Sequence, residues 1–414
     1  MLHLFRAVAL GLALFLSACA STGPVEPSRS RLTILVSIDG FRADYLDRGD
    51  TPAISALAAN GARAAMRPSF PSLTFPNHYA LITGRRPDAN GIVNNVMEDP
   101  AIPGVRFSMS NAQAVQDARW WDQAPPFWVT AEQQGKLAGA MFWPGSEAQI
   151  DGVRPSRWSV FDQAMPSSQR VDTLLSWIDD PKGPDLRFAT LYFDIVDTEG
   201  HHYGPTSPEV RAAAVEVDQA IARLVAGLKA KGRFETTDIV IVADHGMAPV
   251  PASQRWPLDD VLDLSKVKLV TTGAVVGLNP KPGEEAYAEA ALLSKPLPHL
   301  TCWRKGQIPK RFHYGRNPRV PAIICLSQTG WYVTTRAAIQ KPGKWDQMDG
   351  GQHGFDPYDP AMQAVFVAHG PSIKSGVVLP VFDNVDVYSL LARVSDLKPA
   401  TSDGSLKVIG AALR

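Results

Sequence analysis

The 414-residue chain has no surplus of charge: 41 Lys and Arg are matched by 41 Asp and Glu. A protein that coats nucleic acid or binds anionic membrane through bulk charge needs such a surplus, so neither partner is expected. Cysteine is scarce. Cys19, Cys302 and Cys325 are the three present, and none stands in Cys-x-x-Cys spacing, which argues against thiolate zinc and thioredoxin-type chemistry. No repeat with a period of 20–50 residues occurs, which argues against a solenoid or propeller. Charged residues make up 20% and hydrophobic residues 45%, a balance that excludes a mostly disordered chain. Proline (34) and glycine (32) follow no regular period, so collagen is excluded and many ordered loops are expected. Loops on a rigid scaffold commonly carry chemistry, and this length suggests two or three folding units.

The first apolar run, Ala7–Leu16, follows Arg6. It falls short of the roughly 20 residues that span a bilayer and fits the core of a signal peptide. Leu16-Ser17-Ala18-Cys19 resembles a bacterial lipobox. That resemblance implies cleavage of residues 1–18, lipidation of Cys19, and a membrane anchor through the acyl chains. Because Ala20 is not Asp, it further implies the outer membrane, facing the periplasm, in a Gram-negative host. The alternative is an ordinary secretory signal with Cys19 incidental. Residues 19–30 read as a flexible tether. An oxidising compartment permits Cys302 and Cys325 to pair; two free thiols remain the other option.

Along the mature chain, Arg31–Ile38 is a nearly continuous apolar, β-branched run, the pattern of a strand buried on both faces. Similar runs recur at Lys136–Phe142, Phe188–Ile195, Asp238–Ala243 and Gln363–Ala368. Helical spacing lies between them. Residues 207–231 carry Ser207 as N-cap, Pro208 at the first position, and an apolar stripe through Val210, Val217, Ile221 and Leu228 that stops at Gly232. Residues 51–60 and 168–178 also read as helices. Alternating strands and helices predict an α/β fold with a mostly parallel sheet. Residues 251–345 break the rhythm with many Pro, scattered Trp and both later Cys. They are read as an inserted cap, leaving 31–250 and 346–414 as the core.

Polar residues gather where the apolar runs end. Ser37-Ile38-Asp39-Gly40, Asp194 to His202, Ala243-Asp244-His245-Gly246 and Gly351-Gln352-His353-Gly354 all do so. Ligands of open α/β sheets bind beyond the carboxyl ends of strands, so these segments should converge. Carboxylates with imidazoles and no thiolate suit zinc or manganese. A single Asp or His at such a place is more often a cap or a structural residue. Asp244 next to His245, and Asp197 four residues before His201, are stronger; His202 competes with His201. Thr74 stands where a loop enters a helix, with Pro76 in the first turn. A helix N-terminus favours an anion, and a hydroxyl there ionises readily when a divalent ion binds it. Capping the helix is the simpler role for Thr74.

Together, Ser-Ile-Asp-Gly-Phe-Arg (37–42), Thr-Phe-Pro-Asn (74–77), Gly-Ile-Val-Asn-Asn (91–95), Asp-Thr-Glu-Gly-His (197–201), Ala-Asp-His-Gly-Met (243–247) and Gly-Gln-His-Gly (351–354) resemble the nucleotide pyrophosphatase/phosphodiesterase family of the alkaline phosphatase superfamily. The resemblance covers roughly 32–250 and 346–390. It implies a three-layer α/β/α sandwich and two Zn2+, with Mn2+ or another divalent ion as alternatives. Asp197, His201 and His353 would hold one ion, and Asp39, Asp244 and His245 the other. Thr74 would bridge to the second ion as nucleophile, and Asn95 would be the oxyanion donor, ahead of Asn94 and Asn77. Phe75 and Tyr192 would sandwich a nucleobase. The expected substrate is a nucleoside 5′-phosphodiester or nucleotide pyrophosphate, with nucleoside 5′-monophosphate as product.

Monoesters carry one more charge and call for extra cations over the phosphoryl group. Met141-Phe142-Trp143-Pro144-Gly145-Ser146 is apolar in the region where the resemblance places the Lys and Arg of monoesterases; it resembles the diesterase branch, with Arg42, Arg85 and Arg86 as the cations that could still reach in. Phosphomonoesterase and lysophospholipid phosphodiesterase are the alternatives on the same site. A non-catalytic surface lipoprotein is the remote one, because all six expected ligands and the hydroxyl are retained.

Overall fold

The computed structural model describes residues 30–178, 185–341 and 349–414. The expected signal peptide, Cys19 and nearly all of the tether lie outside them. The architecture is the expected α/β one: helices pack on both faces of a central nine-stranded sheet. Its path runs Val377–Val378, Ala62–Arg67, Ala364–His369, Thr237–Val242, Leu32–Ile38, Phe188–Phe193, Ala138–Met141, Arg157–Trp158, and Phe382–Asp383 also pairs with Ala62–Arg67. Leu32–Ile38 sits in the middle, parallel to both neighbours and buried at every residue. That burial on two faces is why its sequence does not alternate.

One strand runs against the rest. Ala364–His369 is antiparallel to both Thr237–Val242 and Ala62–Arg67. Its first residue therefore lies at the edge where the parallel strands end. Ala62–Arg67, which sequence reading missed, alternates buried and half-buried residues and is short and Ala-rich, a weak strand signal.

Helices Pro52–Ala59, Ser167–Trp177 and Ile195–Tyr203 pack on the long helix Pro208–Ala230, whose Ser207 hydroxyl accepts from Val210 N–H as expected of an N-cap. Helices Thr74–Thr83 and Asp386–Val394 pack on each other. Within 251–345 lies a four-stranded antiparallel sheet, in the order Val267–Thr271, Val275–Pro280, Ile323–Ser327, Leu300–Arg304. It has a small hydrophobic cluster of its own, which includes Leu258, Val276, Leu292 and Cys325. Cys302 and Cys325 face each other across this sheet and are disulfide-bonded.

Candidate active site

Glycines allow the strand ends to meet. Gly40 follows Asp39 with φ +67°, and a Cβ there would come within 3.0 Å of the Asp197 backbone. Its N–H donates to Asp244 Oδ1 at 3.2 Å. Gly350 and Gly351 form a short ribbon with Ala248–Val250. A Cβ on either would strike a carbonyl oxygen of His201 or Gly200, at 2.2 and 2.4 Å. This close approach sets His353 beside the helix Ile195–Tyr203, which carries Asp197 and His201.

Two triads result. The ligand atoms of Asp197, His201 and His353 lie within 4.8 Å of one another, and so do those of Asp39, Asp244 and His245. His201 Nε2 is 3.3 Å from Asp197 Oδ2, and His353 Nε2 is 3.7 Å from Asp197 Oδ1. His245 Nε2 is 2.9 Å from Asp244 Oδ2 and 3.5 Å from Asp39 Oδ1. The His245 and His353 rings stack at 3.5 Å, so the triads adjoin. His202 is not part of either.

Each imidazole is oriented from behind. Nδ1–H donates to a backbone carbonyl in all three: Gly351 for His201, Ser72 for His353 and Gly246 for His245, each at 2.9 Å. That leaves every Nε2 facing the carboxylates, the arrangement by which outer hydrogen bonds fix metal-ligating histidines.

The donor set fits divalent cations. Buried oxygens of Asp39 (Oδ1), Asp197 (Oδ1) and Asp244 (Oδ2) have no hydrogen-bond partner. Asp244 Oδ2 and His245 Nε2 are brought together at 2.9 Å in the second triad. Burial, then Asp244 and Asp197, drive the Asp39 carboxyl well above its ordinary range. Asp244 is also penalised by burial, but His245 and His78 hold it down at about 2. Asp197 is likewise held low against its burial by His201 and His353. Burial pushes the His353 imidazole down to about 3, which keeps it neutral and able to ligate. Three carboxylates in such proximity call for compensating positive charge, which divalent ions held by these residues would supply.

Thr74 is the first residue of the helix Thr74–Thr83 and is 7% exposed. Its Oγ1 lies 3.3 Å from His245 Nε2. Asn95 sits at the same helix end, where its Oδ1 accepts from Phe75 N–H at 2.9 Å, one of the amides a helix leaves unpaired. Asn94 instead accepts from Val96 N–H, and Asn77 is spent on Ser69 N–H, the Pro71 and Leu73 carbonyls and the Asn384 amide. Sequence reading passed over His78. It is fully buried, its Nδ1 is 2.9 Å from Thr74 O and 3.4 Å from Asp244 Oδ2, and its Nε2 is 2.8 Å from Ser37 Oγ. Its position four residues after Thr74, on the same helical face, is the signal that could have found it.

Asp39, Thr74 and Asp197 line part of a cavity of about 440 Å³ whose walls include Phe75, Phe142, Trp143 and Phe161. Tyr192 also lines it, but its hydroxyl donates to Asp39 Oδ2 at 2.6 Å. Phe161, another residue missed from sequence, stands 43% exposed at the mouth. It follows no periodic segment, so nothing in the sequence marks it. Among the described residues the lining contains Glu147 and Asp194 but neither Lys nor Arg. Arg85 and Arg86 are tied to Asp403 and Asp383, and Arg42 to Asp44 and Met247 O.

Residues 33–356 match the family model of type I phosphodiesterase / nucleotide pyrophosphatase. An uncharacterised pyrophosphatase/phosphodiesterase of Schizosaccharomyces pombe is 34% identical over 382 residues, 90% of this chain and 78% of that one. Bovine ectonucleotide pyrophosphatase/phosphodiesterase family member 3 is 33% identical over 383 residues, covering 90% of this chain and 43% of its own length. The chain thus spans less than half of that longer relative. A solved structure of murine ectonucleotide pyrophosphatase/phosphodiesterase 5, an inactive threonine-to-alanine form in complex with AMP, superposes with a TM-score of 0.86 at 29% identity, over 93% of this chain and all of that one. With its fold, its two triads and these matches in agreement, the chain belongs to the type I phosphodiesterase/nucleotide pyrophosphatase family, hydrolases of phosphodiester bonds within the alkaline phosphatase superfamily.

Proposed function

We propose that this chain hydrolyses nucleoside 5′-phosphodiesters and nucleotide pyrophosphates through a covalent ester on Thr74, releasing nucleoside 5′-monophosphate. The observation that carries the reading is the placement of Thr74 Oγ1 against His245, at the floor of an aromatic cavity without a basic side chain. Asp197, His201 and His353 would hold one divalent ion and Asp39, Asp244 and His245 the other; the carboxylate–imidazole donors favour zinc over magnesium. Bound there, the ions would act as Lewis acids that neutralise charge on the phosphoryl oxygens.

The chain's own residues do the rest. Thr74 Oγ attacks phosphorus in line as the bond to the leaving oxygen breaks, and water then cleaves the Thr74–phosphorus bond. Asn95, its Oδ1 anchored by Phe75 N–H, presents its amide NH2 to a non-bridging oxygen, a contribution on the order of 3 kcal/mol. Phe75 and the facing aromatic wall offer stacking to a base. The inactive threonine-to-alanine relative with AMP supports both the nucleophile and the product class. Lack of cations in the lining supports a diester over a monoester.

The test is a turnover panel of thymidine 5′-p-nitrophenyl phosphate, p-nitrophenyl phosphate and a lysophospholipid, each with and without chelator. Chelator-sensitive cleavage of the first, well above the others, is expected. A second reading, lysophospholipid cleavage at the same site, is favoured by the exposed apolar Met109 and Val160 beside the cavity. It wins if the lipid turns over faster.

We also infer export and anchoring through lipidated Cys19 at the cell envelope, on the lipobox-like run at 16–19. Metabolic palmitate labelling that persists in Cys19→Ala would overturn this.

A further inference from the structure

Arg170 is 3% exposed, on the helix Ser167–Trp177, and does not line the cavity. It supports the wall from behind. Its guanidinium donates to Tyr192 O at 3.0 Å, Asp194 Oδ1 at 2.7 Å and Gln163 O at 3.3 Å, and it lies 5.2 Å from the Phe142 ring and 5.9 Å from the Phe161 ring. All five of these partners line the cavity. Nε donates to Met165 O as well, at 3.0 Å. A planar fork of five donors can hold several carbonyls at once, which an ammonium cannot do in one geometry. The carbonyls of Gln163 and Met165 belong to an irregular segment with no sheet ladder to satisfy them, and the buried guanidinium ties both of them down. Asp194 neutralises the charge, which leaves the cation free to sit against two aromatic rings.

We propose that Arg170 is a positioning residue that sets Phe161 and Phe142 as the ring-binding wall of the cavity, and so selects esters that carry a planar base. This rests on the nucleotide reading above. It acts through the wall: its hydrogen-bond partners and the two rings beside it include neither Thr74 nor a ligand of either triad.

The experiment compares thymidine 5′-p-nitrophenyl phosphate with methyl p-nitrophenyl phosphate, which has the same leaving group and no base, on the full chain loaded with zinc. For Arg170→Lys, KM for the thymidine ester should rise on the order of tenfold, the scale of one lost base stack, with kcat and zinc content kept. The methyl ester should change less than about twofold. Phe161→Ala, at an exposed position tolerant of change, should reproduce this split. Adding Arg170→Lys to Phe161→Ala should cost less than the product of the two single losses, because Arg170 acts in part through the Phe161 ring. Equal losses on both esters, or fully multiplicative losses in the double variant, would overturn the proposal alone. A wild-type protein indifferent to the base would overturn the nucleotide reading and this proposal with it.

Discussion

The floor and the wall of the cavity are adjacent but differently made. The floor is built from strand ends and a helix start: every imidazole is pinned by a backbone carbonyl, and glycines let the segments touch. The wall is built from loops held by side chains, chiefly Arg170 and Glu147, whose Oε1 accepts from Phe161 N–H. Chemistry that needs sub-ångström placement is carried by the regular scaffold, and recognition is carried by segments that can vary without disturbing it.

Breaking the floor should have the largest effect. Thr74→Ala should lower kcat by at least about 10³-fold while zinc content stays near two per chain, since nucleophile removal typically costs that much or more; a variant that turns over at the wild-type rate would end the assignment. Chelation should abolish turnover, and it should also lower the melting temperature, because Asp39, Asp197 and Asp244 are then left facing one another in a buried site. Calorimetric melts with and without chelator read this directly. Asn95→Ala should reduce kcat by roughly 10²–10³-fold with little change in KM, as loss of one oxyanion donor does. His78→Gln should weaken zinc binding by roughly 10–100-fold, the usual scale for an outer-shell partner of a ligand, and competition with a fluorescent chelator would measure it.

The region farthest in kind from both is the four-stranded sheet. Cys302→Ala with Cys325→Ala opens a loop of 23 residues, so the fold should lose about 3 kcal/mol with kcat/KM unchanged. A drop in kcat/KM at a temperature where the protein stays folded would show that this sheet shapes the site.

Sequence reading and structure agree best where burial imposes a pattern. The unbroken apolar run at Leu32–Ile38 and the capped amphipathic helix at Pro208–Ala230 were both legible. So was the clustering of Asp and His at strand ends. Ala62–Arg67 was not, because alanine favours no strand and the segment is stabilised by its neighbours on the sheet. Phe161 and Arg170 were not, because their roles come from the way a helix, a strand end and irregular segments pack together around the cavity.

The chain by itself determined the main alternation of buried strands and amphipathic helices, the residue types able to bind divalent ions, and the presence of a hydroxyl at a helix start. These follow from local rules: periodicity, capping and ligand chemistry. Tertiary structure decided the rest. It reversed one strand, so that the segment carrying His353 reached the edge holding Asp197. It turned Tyr192 toward Asp39 and set Phe161 at the mouth. Which side chains share a cavity depends on how separate segments pack, and packing depends on every neighbour at once.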